Sequence, residues 1–204
     1  MPDGQQVNER VADHPIDRLF LERWSPRAFT GEAIPEAELF TLIEAARWAA
    51  SSYNSQPWRF IYARRDTPHW ERFLGLLVEF NRGWAQHAAA LIFVVSKSTM
   101  LPPGKDTEIP SRSHSFDAGA ASACLALQAV KSGWAAHGMV GLDFDEAFAM
   151  LGVPQGYRVE AAFAVGRRGD KSILSEPMQA RETPNGRMKL AEIAFEGGFP
   201  KLPD

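Results

Sequence analysis

Cysteine is almost missing: Cys124 is the only one in 204 residues. That excludes an intramolecular disulfide and a cysteine-rich zinc site, and its place in an apolar helical stretch predicts a buried, inert thiol. Neither sign of charge dominates. Lys+Arg number 22 against Asp+Glu 25, a formal net charge of -3, which argues against a generally basic nucleic-acid binder. Long apolar runs are absent too. The longest, Ala88 to Val95, has eight residues, far short of a bilayer span. The opening MPDGQQVNERVADHP is polar, without an apolar signal core, and predicts a soluble, cytoplasmic chain.

Several catalytic and binding signatures are missing. No G-x-G-x-x-G follows a predicted strand, so no Rossmann-type dinucleotide site is indicated. There is no P-loop, and no G-x-S-x-G nucleophile elbow. The five histidines form neither H-E-x-x-H nor a close pair, which predicts no metal site. Without a self-sufficient catalytic apparatus, any chemistry has to come from a cofactor.

What is present is a chain long enough for one domain with its own core, and rich in aromatics: 13 Phe, 6 Trp and 3 Tyr. Glu36 and Glu38 follow Pro35, and Leu39, Leu42, Ile43 and Ala46 mark one face of a helix that ends before SSYNSQP. WRFIYAR (58–64) alternates like a strand. Residues from about Pro68 to Phe80 are predicted as one helix, with Phe73, Leu76, Leu77 and Phe80 on one stripe. AALIFVVS (89–96) predicts a strand buried on both faces. Residues 97–115 are predicted as a structureless, mobile loop. An Ala/Gly-rich helix follows, from about Phe116 to Lys131. GWAAHGMVG predicts a short strand, Asp143 caps a helix, and YRVEAAFAVG (157–166) is the last clear strand. The mixture lacks regular βαβ repetition, which favours an α+β fold. The segment from Arg167 to 204 carries scattered apolar residues that cannot bury themselves, as expected of a disordered tail or of an arm that docks elsewhere.

Two short motifs carry binding chemistry. Arg23-Trp24-Ser25-Pro26-Arg27 sets two guanidiniums and a hydroxyl beside a Pro-fixed turn, a donor set suited to a phosphate or a polar heteroaromatic edge; alone it is equally the composition of a solvated basic turn. Ala50-Ser51-Ser52-Tyr53-Asn54-Ser55-Gln56-Pro57-Trp58-Arg59 places hydroxyls and amides between a helix end and a strand start, where rigid neighbours can position them.

Together, and in this order, these segments resemble the FMN-dependent nitroreductase family. RWSPRAF is similar to that family's R-x-S-x-R element, and AASSYNSQPWRF to its P-S-x-x-N-x-Q-P-W segment. Phe80-Asn81-Arg82, Asp117-Ala118-Gly119, His137 to Asp143, and AAFAVGRRGD with NGRMKLAEI resemble its later elements. The resemblance spans residues 19–192. It implies an α+β nitroreductase-like fold, with a mostly antiparallel central sheet flanked by helices and a C-terminal arm (about 167–204) embracing a partner subunit in a homodimer.

For the site, the resemblance implies that Arg23, Ser25 and Arg27 hold the FMN phosphate or the pyrimidine edge. Arg187 and Lys189 complete the phosphate site. Ser51, Ser52 and Asn54 reach the flavin from the partner subunit, Asn81 bonds the ring's polar edge, and Met139, Val140 and Gly141 lie beside the ring. Trp58, Trp84 and His137 are the candidate walls of a planar-substrate pocket. The sequence departs from the family pattern at Ala50, Val140 and Trp84, where relatives often carry Pro, Glu and Lys. The implied activity is ping-pong electron transfer from NADH or NADPH, a transient visitor, through tightly bound FMN to a small planar acceptor such as a nitroaromatic or quinone. No side chain acts as the catalytic group, because the flavin carries the chemistry. Two alternatives stay open: a flavin-binding module without turnover, and a same-fold enzyme using flavin differently, for fragmentation or reductive dehalogenation.

Overall fold

The computed structural model describes residues 8–200. The first seven residues of the polar lead-in and the last four of the expected arm lie outside the described residues.

Chain order begins with a short helix α1 (Arg18–Glu22), whose N-cap Asp17 accepts the Leu19 N–H. Helix α2 (Glu36–Arg47) has Glu36 and Glu38 in its first turn and Arg47 in its last, complementing the helix dipole, and it buries Leu39, Leu42 and Ala46. Strand β1 (Trp58–Arg64) leads to two short helices, α3 (Trp70–Gly75) and α4 (Glu79–Ala85). Strand β2 (Ala90–Lys97) is followed by the tiny strands β3 (Thr99–Met100) and β4 (Ile109–Pro110), then the long helix α5 (His114–Lys131). Strand β5 (Ala135–Met139), helix α6 (Phe144–Met150) and strand β6 (Tyr157–Gly166) complete the body. Helix α7 (Glu176–Gln179) and two single 3₁₀ turns are the only regular pieces described beyond it.

The four long strands form one antiparallel sheet in the order β1-β2-β6-β5. Central β2 is buried along nearly its whole length, as its continuous apolar run predicts. Strand alternation divides its side chains between two cores. Leu91, Phe93 and Val95 join Phe29, Phe73, Leu77 and Trp84 on one face. Ile92 and Val94 meet α2 and α5 on the other, through Leu39, Leu42, Ala121 and Leu125. The small residues of α5 allow that helix to lie close: Ala118, Ala121, Ala126 and Ala129 are all buried. The fold is therefore α+β, an antiparallel sheet flanked by helices.

Several expectations need correction. The helix expected over 68–80 is two helices. Its backbone is interrupted where Leu77 bridges Leu142, the Val78 N–H reaches the Gly141 carbonyl at 3.2 Å, and the Leu76 carbonyl accepts the Asp143 N–H at 2.9 Å. Helical hydrogen bonds gave way there to pairing with a distant loop, and Phe80, expected on the buried stripe, is half exposed at 50%. The segment 97–115 is not structureless. Thr99 and Met100 pair with Pro110 and Ile109, a salt bridge joins Lys97 to Glu108, and α5 already begins at His114. Cys124 is only half buried, because the buried stripe of α5 runs through Ala121 and Leu125 beside it.

The segment after Arg167 has two parts. Its first part docks on the body of the same chain: Thr30 N–H donates to the Arg167 carbonyl, Gly169 N–H to the Ala28 carbonyl, and Phe29 bridges Arg168. This pairing is close enough that a Cβ on Gly166 would stand 2.6 Å from the Phe29 ring. Beyond Arg187 the chain exposes Met188, Leu190, Ile193, Phe195 and Phe199. No helix among the described residues is long and apolar enough to cross a membrane.

Candidate functional site

The two-part tail and the Arg23–Arg27 segment enclose a cavity of about 400 Å³, lined by Arg10, Arg23, Ser25, Arg27, His137, Arg181, Thr183, Asn185 and Arg187. Five guanidiniums face it and, among the described residues, no carboxylate is in the lining. One buried acid stands behind the wall. Glu182, 2% exposed, accepts the Arg27 N–H at 2.6 Å and the Ala28 N–H at 2.8 Å, and its Oε2 lies 3.9 Å from Arg27 Nη1. A contact across 155 residues thus folds the tail against the R-x-S-x-R segment and sets both sides of the cavity.

The cations crowd one another. Burial first, then the Arg187 charge, holds the Arg23 guanidinium below the ordinary arginine range; the same two causes, with Arg23, lower Arg10. Arg23 Nη1 also donates to Ser25 Oγ at 3.3 Å. Guanidiniums gathered in this way suit an anion, whose negative charge would relieve the crowding.

His137, on β5, closes the inner wall. It is 8% exposed, its Nδ1 lies 2.9 Å from the Pro26 carbonyl oxygen, and its ring sits 4.6 Å from that of Trp84. Burial, reinforced by the Arg27 and Arg23 charges against the hydrogen bonds to backbone carbonyls, depresses its pKa from 6.5 to about 4. The folded state thus binds fewer protons than the unfolded chain between those two values. Stability is expected to fall as pH drops from 6.5 toward 4, by on the order of 3 kcal/mol from this group. Denaturation at pH 7 and pH 4.5 checks it. His137→Gln should flatten the acid slope, and an unchanged slope would assign it to other groups.

At the end of β5 lies a second built feature. The Asn81 Nδ2 donates to the Gly141 carbonyl at 2.9 Å, which also accepts the Val78 N–H. Gly141 is required there: a Cβ would collide with the Asn81 amide and crowd Val78 Cγ2 at 3.2 Å. This locked turn leaves Met139 buried and Val140 69% exposed.

The third feature is the loop after α2. Tyr53, Asn54 and Gln56 hold positive φ values of 50°, 53° and 45°, a strained run of the kind that clusters at binding sites. Asp117, 3% exposed, accepts the Ser52 N–H at 3.2 Å and the Ser113 hydroxyl at 2.9 Å, anchoring the loop to the first turn of α5. The Ser51 hydroxyl accepts the Gln56 N–H. Tyr53 beside it is 69% exposed and Phe116, on the first turn of α5, is 82% exposed.

The structure therefore brings Arg23, Ser25, Arg27, Arg187 and His137 to one cavity. Asn81, Met139, Val140 and Gly141 come together at one turn, while Ser51, Ser52 and Asn54 lie on a separate loop. Lys189 is outside the cavity lining, exposed at the N-cap of a 3₁₀ turn over 190–192. Trp58 and Trp84, expected as pocket walls, are 5% and 1% exposed and belong to the two cores. The sequence reading missed Arg10, Arg181, Thr183 and Asn185. An arginine in a polar lead-in carries no local signal. The lone carboxylate of Glu182 between Arg181 and Thr183 offered none that could be read before the tail was seen to fold back.

Comparison with known proteins places the fold. A solved structure described as an oxidoreductase containing FMN is 46% identical, with a TM-score of 0.91, over 96% of this chain and 98% of its own. A protein from Desulfovibrio desulfuricans solved in complex with FMN is 25% identical, with a TM-score of 0.68, over 93% of this chain and 100% of its own. An uncharacterized 15.4 kDa protein of Mycolicibacterium smegmatis is 39% identical over 124 residues, 60% of this chain and 79% of its own. The nitroreductase family model matches residues 21–167, from just before the R-x-S-x-R element to the end of the last strand, and the chain belongs to the nitroreductase family.

Proposed function

We propose that the protein is a homodimeric FMN-dependent oxidoreductase. It takes electrons from NADH or NADPH and passes them, in a ping-pong cycle, to a small planar acceptor such as a nitroaromatic or a quinone. The observation that carries the reading is the arginine cavity, with Ser25 and three further polar side chains among its lining and no acid among the described residues. Arg23, Arg27, Arg187 and Ser25 would hold the flavin phosphate through charge-assisted hydrogen bonds, with Lys189 nearby on the same arm. When bound, FMN supplies hydride transfer and the protein contributes orientation and charge.

The residues divide that work between two ends. The cavity anchors the phosphate, and the turn locked by Asn81 presents Met139, Val140 and Gly141 to the ring. No ionisable side chain sits at 139–141, so specificity there comes from shape and apolar contact. The loop carrying Ser51, Ser52 and Asn54 reaches the flavin of a second copy. Exposed Tyr53 and Phe116 beside it, and Ile193, Phe195 and Phe199 on the outer arm, are apolar surface that dimerisation would cover.

The test is direct. Purified protein should carry yellow FMN near one per subunit, sediment as a dimer, and bleach anaerobically on addition of NADH or NADPH. Colourless protein that takes up no FMN would overturn the reading, and bound flavin that stays oxidised under both nicotinamides would leave a binding module in its place.

A further inference from the structure

We infer that the arginine cavity holds a second phosphate group beside the flavin's own, and so selects a reactant or cofactor that carries one. The inference rests on the proposed FMN site and deepens it. Its ground is a charge count. Arg10, Arg23, Arg27, Arg181 and Arg187 line the cavity, and among the described residues the only acid engaging any of them is Glu182 on Arg27. Four positive charges remain. A phosphate monoester brings at most about two negative charges at neutral pH. One flavin phosphate therefore leaves a surplus of about two cations, and Arg10, Arg23 and Arg187 already repel one another.

Geometry separates the surplus from the flavin's set. Arg10 is held rigidly by backbone: its Nε donates to the Asn185 carbonyl, and its Nη1 to those of Leu21 and Arg23. Those bonds fix its position, and none of them neutralises its charge. Arg181 is exposed, and no hydrogen bond or ion pair engages its side chain among the described residues. A free guanidinium on the rim and a fixed one on the N-terminal lead-in flank a cavity of about 400 Å³. Like charges kept this close without an acid between them indicate a ligand with more negative charge than one phosphate.

Two sources have this chemistry. NADPH carries a ribose phosphate that NADH lacks, and FAD carries a second phosphate that FMN lacks. The experiment separates them in phosphate-free buffer. On FMN-loaded protein, kcat/KM per bound flavin is measured for NADPH and NADH with one common acceptor. On flavin-stripped protein, FMN and FAD affinities are measured by fluorescence titration. One of the two ratios should favour the extra phosphate by about tenfold or more. It should fall toward one in both Arg181→Gln and Arg10→Gln, and a rise in added inorganic phosphate should erode it. Equal use of both nicotinamides together with equal affinity for both flavins overturns the inference, as does a preference that survives in both variants. Because flavin loading is measured first, a chain that takes up no flavin is recognised separately as a failure of the proposed function, and the inference falls with it.

Discussion

Replacing Glu182 with alanine is expected to destabilise the protein by about 3–5 kcal/mol and to empty it of flavin. Glu182 is 2% exposed, and its Oε1 is the acceptor for two consecutive backbone N–H groups, those of Arg27 and Ala28. Alanine leaves both donors in a space that water barely reaches, and each unsatisfied buried donor costs about 1–3 kcal/mol. It also strands the Arg27 charge, whose carboxylate lies 3.9 Å away. The same side chain ties the tail to the R-x-S-x-R segment, so its loss should open the cavity from behind. Urea denaturation and flavin content per subunit measure the two effects. Glu182→Gln keeps an acceptor oxygen and should lose less stability, separating the hydrogen bonds from the charge. An alanine variant within about 1 kcal/mol of the parent would mean that the tail is held by something else.

The second large effect has the opposite pattern. Arg23→Ala should weaken FMN binding by about 10²-fold, or ~3 kcal/mol, without loss of fold stability. In the free protein Arg23 makes, among the described residues, one long side-chain hydrogen bond, to Ser25, and is repelled by Arg187. Removing it relieves like-charge crowding, so the unliganded protein should be as stable as the parent or slightly more so. The bound state, in contrast, loses a charge-assisted contact from a half-buried position. Fluorescence titration with FMN and thermal unfolding without it give the two readings. Lys189→Ala is the internal control: an exposed lysine outside the cavity lining should change the affinity by no more than about threefold. Similar losses in both variants would move the phosphate elsewhere on the arm.

Local rules accounted for much of what the structure contains. Strand β1 is Trp58–Arg64, as the alternation of WRFIYAR predicts, and α6 is capped by Asp143, which accepts the Glu146 N–H at 2.9 Å. These elements obey periodicity and capping, which act within a few residues. The helix expected over 68–80 failed because the Gly141 and Leu142 backbone, some sixty residues away, competes for the groups at 76–78. Apolar spacing cannot register such a competitor. Trp84 shows the same limit in a side chain. Its neighbours Arg82 and Gly83 are exposed, yet it is 1% exposed between Phe29 and His137, contacts made from three separate segments. The strain at Tyr53, Asn54 and Gln56 was also invisible, because none is the glycine that announces a positive φ.

The sequence by itself determined the absence of an intramolecular disulfide, the doubly buried central strand, the α+β class and the order of motifs that marks the nitroreductase family. Each rests on composition or on short-range pattern, which any fold of this chain must respect. Only the tertiary structure decided that the tail returns to the body of the same chain before its apolar end is exposed. It alone decided that one buried carboxylate joins Glu182 to the backbone of Arg27, and that Arg10 and Arg181 complete a ring of five guanidiniums around one cavity. The physical reason is the range of the forces. Hydrophobic periodicity is written locally, whereas charges gathered from residues 10, 23, 27, 181 and 187 acquire their shared field only when folding places them within reach of one anion.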